Sequence, residues 1–117
     1  MRRFLSQINI KTMTRDYQTI CKRYGVHSLC DLANELERRG FPRPETFQAG
    51  QVWYNTGGTR VEVVKFRGGL AAEYYTNEGR LWQRKMIKNA PGAFAVYLPT
   101  VHEIKTWEIL KDGQPTK

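Results

Sequence analysis

Residues 48–99 constrain the fold most, because short runs of β-branched and aromatic residues are cut there at close intervals by glycine turns. Trp53 and Tyr54 lead into Asn55-Thr56-Gly57-Gly58, and residues 60–66 supply strand formers before Gly68-Gly69. Residues 70–76 read as the next strand. Asn77-Glu78-Gly79 reads as a hairpin turn in which glycine takes the positive φ, and residues 80–86 return as its partner. The pattern predicts short antiparallel strands assembled as a small β-barrel of five strands or a similar number.

At 117 residues the chain can bury one core but not two of ordinary size. A hydrophobic fraction of 40% and a charged fraction of 26% belong to a folded chain, and no stretch reaches the roughly 18 consecutive apolar residues of a membrane span. Ser6, Gln7, Asn9 and Lys11 interrupt the apolar start, so no secretory leader is expected and the expected setting is cytoplasmic, without a membrane partner. The formal net charge is +8. Such a positive potential concentrates polyanions, and nucleic acid is the first partner it suggests; an acidic protein surface is the second. Residues 1–47 carry 9 basic against 5 acidic side chains and residues 48–117 carry 10 against 6, so no basic tail holds the excess.

Before the strands the apolar spacing is helical. Tyr17, Ile20, Cys21 and Tyr24 form one stripe, with Thr14 as the expected N-cap and Gly25 as the stop. Leu29, Leu32, Ala33 and Leu36 form a second, with Ser28 as N-cap, Asp31 in the first turn, and Gly40, Pro42 and Pro44 ending it. Residues 1–10 alternate weakly enough to suggest an edge strand. Later, Asn89-Ala90-Pro91-Gly92 marks a turn, residues 93–98 a strand, and residues 104–110 a last element, strand or short helix. The expected organisation is one domain: a strand and helical hairpin over 1–47, a barrel over 48–111 and a frayed tail over 112–117.

The tract Arg80-Leu81-Trp82-Gln83-Arg84-Lys85-Met86-Ile87-Lys88 joins four cations to an indole beside the strand that carries Tyr74. Cations track a phosphate backbone and an exposed ring stacks on a base, which is the combination a single-strand binding surface needs. Strict alternation puts Arg80, Trp82, Arg84 and Met86 on one face and Leu81, Gln83, Lys85 and Ile87 on the other. Neither face is cleanly apolar, so a bulge or a partly exposed Trp82 is expected, the alternative being Trp82 in the core. Arg60, Lys65 and Arg67 on the neighbouring strand and turn extend the patch if cross-strand pairing brings them alongside; otherwise Arg60 and Lys65 flank Glu62 and Glu73 in surface ion pairs.

Other chemistry finds little support. The helical hairpin superficially suggests a helix-turn-helix, but Asp31, Glu35 and Glu37 occupy the arc that would face phosphate. His27 and His102 stand in no arrangement with a nucleophile and a carboxylate, and Cys21, His27 and Cys30 lack a fourth metal ligand. Neither enzyme activity nor a cofactor is expected.

Gly50-Gln51-Val52-Trp53, Arg60-Val61-Glu62-Val63-Val64, Gly79 and Phe94-Ala95-Val96-Tyr97-Leu98-Pro99 together resemble small SH3-like barrels of the KOW and Tudor kind, and similar little barrels occur in proteins of tailed bacteriophages. The resemblance covers the last half to two thirds of the chain and implies a binding module, for RNA, DNA, ribosomes, polymerase or peptides. The expectation is therefore an α+β domain, a helical hairpin packed on a small SH3-like antiparallel barrel, binding nucleic acid (RNA or DNA) through its β-face. The runner-up is a phage-type inhibitor or regulator of a host protein that handles nucleic acid, through an acidic or nucleic-acid-binding surface on that protein.

Overall fold

The computed structural model describes residues 15–88 and 95–112. The expected edge strand over 1–10, the Thr14 cap, the turn at 89–92 and most of the tail lie outside them. Two short helices come first, α1 (Arg15–Tyr24) and α2 (Leu29–Arg38), then strands β1 (Val52–Asn55), β2 (Arg60–Phe66), β3 (Gly69–Tyr75), β4 (Leu81–Ile87) and β5 (Ala95–Leu98), and last a helix α3 (Val101–Asp112).

Both N-terminal helices end the same way. The Val26 N–H reaches back to the Cys21 carbonyl and Gly25 to that of Lys22; the Phe41 N–H bonds Leu36 and Gly40 bonds Glu37. These are paired Schellman closures, and they need the left-handed backbone that Gly25 (φ 71°) and Gly40 (φ 99°) provide. Ser28 caps α2 by accepting from the Asp31 N–H at 3.0 Å. On α2, Leu29, Leu32, Ala33 and Leu36 are all buried, the stripe that their spacing predicts.

The five strands form one antiparallel sheet in the order β4-β3-β2-β1-β5. Among the described residues the sheet is open, with β4 and β5 as its end strands, and it does not close into the expected barrel. The β2–β3 hairpin turns through Arg67, the only described non-glycine residue with positive φ (51°). Alternation splits the residues between two apolar clusters. On one face Tyr54 and Leu98, with Val52 and Val96, pack against Ile20, Cys21, Leu32, Leu36 and Ile104 from all three helices. On the other, Trp53, Val61, Val63, Ala72, Ala95 and Tyr97 gather with Phe47. Trp53 is fully buried, edge-on to Phe47 (5.5 Å) and tilted against Tyr97 (5.2 Å), with its Nε1–H donated to Gln51 Oε1 at 3.0 Å.

The last element is a helix, and its start explains why. Thr100 Oγ1 accepts from the Glu103 N–H at 3.1 Å while Glu103 Oε1 accepts from the Thr100 N–H at 2.9 Å, a reciprocal capping box. Further along α3, Glu108 accepts from Arg23 and from the Tyr24 hydroxyl at 2.7 Å, and Trp107 lies 5.3 Å from the Phe41 ring. The C-terminal helix thereby ties back to the first helix and to the segment after the second.

Several hydroxyls resist ionisation in this core. Burial pushes Tyr17 up to about 12, burial and the bond to Glu108 push Tyr24 up to about 12, and burial with the nearby carboxylate of Glu103 raises Tyr97 further. Each folded-state pKa lies above the unfolded value of about 10. The folded chain therefore keeps protons that the unfolded chain releases, so this stabilisation is whole below pH about 10 and is lost as pH rises through about 12. Urea melts at pH 8 and pH 11.5 should show a clear loss of stability at the higher pH; equal midpoints would contradict it.

Candidate nucleic-acid interface

The tract singled out in the sequence is β4 with its flanks, the outermost strand of the sheet. Its cations separate by face because of the register. Glu73 stands opposite Arg84 and Glu62 opposite Glu73, so Arg84 shares the helix-covered side of the sheet with two carboxylates. Arg84 Nε donates to Glu73 Oε2 at 2.9 Å, and its guanidinium lies 4.5 Å from the Phe66 ring centroid, where Arg67 also sits at 5.2 Å. Arg60 is on that side too, buried, donating to Glu62 Oε2 at 3.1 Å and more weakly to the Tyr54 hydroxyl at 3.4 Å. Arg60 and Arg84 are thus neutralised in ion pairs. Phe66 is the residue that the patch reading had left out, and the Asn77-Glu78-Gly79 hairpin between β3 and β4 already implied that Glu73 and the β4 cations were within reach.

The opposite face collects the other members. Lys85 stands across from Ala72 and thence Val63, Gln83 across from Tyr74, and Lys65 across from Leu70, so Lys65, Tyr74 and Lys85 share one side. Lys85 Nζ lies 5.9 Å from the Tyr74 ring centroid. By strict alternation Trp82 belongs on the far side with Arg84. The register shows why it is not there: Tyr74 pairs with Gln83 and Tyr75 with Leu81, which leaves Trp82 as the extra residue of a β-bulge. A bulge re-aims the side chain it carries. Here it brings the indole to 6.1 Å from the Tyr74 ring, tilted at 59°, and leaves it 57% exposed, which excludes the core placement.

The result is an exposed indole backed by a tyrosine and flanked by cations. Among the described residues Lys65, Arg80, Lys85 and Lys88 make no ion pair, and Arg80 closes the β3–β4 turn through its N–H to Thr76 Oγ1 at 3.1 Å. No acidic residue occurs between Arg80 and Lys88. Of nine residues expected at the site, the structure brings Lys65, Tyr74, Trp82 and Lys85 to one face, sets Arg80 and Lys88 at the two ends of β4, and places Arg60, Arg67 and Arg84 on the side or turn of Glu62, Glu73 and Phe66.

Elsewhere the chemistry is spent on structure. Glu35 is held at about 2 by hydrogen bonds from Arg38 and then Arg39, so both cations at the end of α2 are engaged with one carboxylate. Burial pushes the Cys21 and Cys30 thiols up and away from the reactive thiolate. A concavity between residues 41–51 and α3 is lined by Phe41, Tyr97, Glu103 and Trp107, but Glu103 is committed to the α3 cap and to the Tyr97 hydroxyl at 2.7 Å. Among the described residues no group of three His, Cys, Asp or Glu side chains could hold a metal, and no helix is long and apolar enough to cross a membrane. Comparisons with protein-family models, with curated proteins and with solved structures found no match to this chain.

Proposed function

We propose that this chain is a basic binding module that takes a single strand of nucleic acid across the β3–β4 face, with Trp82 stacking on a base and Lys65, Arg80, Lys85 and Lys88 following the phosphates. The observation that carries the reading is the bulge: a strand residue left 57% exposed, out of register and turned onto Tyr74 beside unpaired cations, has no packing role that explains it. The resemblance to SH3-like barrels supports it further, since a meander in which β5 returns to pair with β1 is a strand order such a barrel can share. Duplex is disfavoured as a target because stacking on an indole requires an unpaired base.

Titrating a labelled 12-mer oligonucleotide at several salt concentrations tests the proposal. Four phosphate contacts at about −0.7 each give a slope of log K against log salt near −3, and Lys85→Ala should flatten it by about one contact. Absence of binding at low salt would remove nucleic acid as the ligand.

A further inference from the structure

β4 has an edge as well as a face, and the edge raises a separate possibility for recognition. It is seven residues long and ends the sheet, with β3 on one side and no strand on the other among the described residues. An open edge offers a row of backbone donors and acceptors to any extended chain, and natural edges are ordinarily closed off by charge, bulges or cover. Here the bulge at Trp82 interrupts only the start, leaving Gln83 to Ile87 in regular register. Charge is present, but it is all of one sign, and it is interleaved with apolar side chains that stay in water: Leu81 is 43% and Met86 56% exposed.

That combination selects between occupants. A second copy pairing antiparallel about Lys85 sets Lys85 against Lys85, and a like-charge pair directly opposite is unfavourable. An acidic strand meets the opposite situation: a glutamate facing Lys85 gains a cross-strand partner, Arg84 being already held by Glu73, while Met86 and Ile87 accept apolar side chains on the two faces. We infer that the β4 edge, unpaired among the described residues, is a docking site for an extended acidic segment of a partner protein, added as a further strand by main-chain pairing. This goes beyond the nucleic-acid reading and stands without it, because it uses the in-plane backbone of residues 83–87 and not the stacking face at Trp82.

The test uses the full chain and three synthetic heptapeptides: Val-Thr-Val-Glu-Glu-Val-Thr, the same peptide with lysines for the glutamates, and the acidic peptide N-methylated at alternate residues. Amide hydrogen exchange of the protein is followed with each. The acidic peptide should slow exchange of the solvent-facing amides within residues 83–87 by about tenfold or more, with the lysine and N-methylated peptides giving no protection. Lys85→Glu should weaken the acidic peptide by about fivefold, and Trp82→Ala should leave its protection in place even where it abolishes oligonucleotide binding. Equal binding of the N-methylated peptide would show charge attraction without strand addition and overturn the inference. So would protection outside β4, protection given only by an oligonucleotide, or a dimer of this chain forming through β4 in sedimentation without peptide.

Discussion

Trp53→Ala should lower the stability of this protein by about 3–5 kcal/mol, the range for removing a large aromatic ring from a core that cannot collapse around the space. Trp53 lies in the middle of the short β1 strand, between Val61 of β2 and Tyr97 of β5, so its ring is held on both sides by paired strands. Phe47 meets its edge and the Arg43 guanidinium lies 5.3 Å from its ring. The ring's removal would also take away one of the two donors to Gln51 Oε1, leaving it with the Gln48 N–H alone. Lys85→Ala, on an exposed position of the outer strand, should move stability by less than about 0.5 kcal/mol. Urea denaturation of both variants checks the contrast. A Trp53→Ala midpoint close to that of the unmodified chain would mean that the second cluster is loosely packed and that the helix-side cluster carries the fold alone.

The local elements were legible because each is specified within a few residues. Ser28 caps α2 and its apolar stripe is buried, Gly25 and Gly40 close the helices, and Gly58, Gly68 and Gly79 sit in the turns where the strand pattern breaks. Leu32, Val61 and Val63 are core positions, as spacing and alternation predict. The openness of the sheet was not legible, because closure depends on whether β4 and β5 meet, and two-residue alternation within each strand is the same in a barrel and in an open meander. The helix at α3 was legible in principle: Thr100-Val101-His102-Glu103 has the Ser/Thr-x-x-Glu spacing of a capping box, a signal masked by the β-branched and aromatic residues that follow.

The candidate site was legible in part for a related reason. Composition identified β4 as the basic and aromatic strand, but which cations are available is decided by register, and register is a pairing between segments. One step of alternation places Lys85 beside Tyr74 and Arg84 against Glu73, so neighbouring residues of like charge have opposite fates. Arg60 shows the same dependence. Its position in β2 puts it over Tyr54 and beside Glu62, buried on the helix side of the sheet.

Trp82→Ala should cost about 1–3 kcal/mol of oligonucleotide binding, roughly 5- to 150-fold in Kd, if the exposed indole is the stacking platform. The same indole should be quenched by a single-stranded oligonucleotide, and Trp53 and Trp107 provide internal references, the first buried and the second half-buried against Phe41. Stability should change little, because Trp82 contacts the fold mainly through Tyr74 and most of its surface is already in water. Arg84→Ala gives the complementary result: it breaks the pair with Glu73, frees a carboxylate beside the strand, and should weaken oligonucleotide binding less than Trp82→Ala while leaving the quenching intact. Retention of full affinity in Trp82→Ala would leave the bulge without a role in nucleic-acid binding. The edge of β4 is indifferent to that outcome, since an acidic strand held by the backbone of residues 83–87 gains little from an indole that lies outside the paired register.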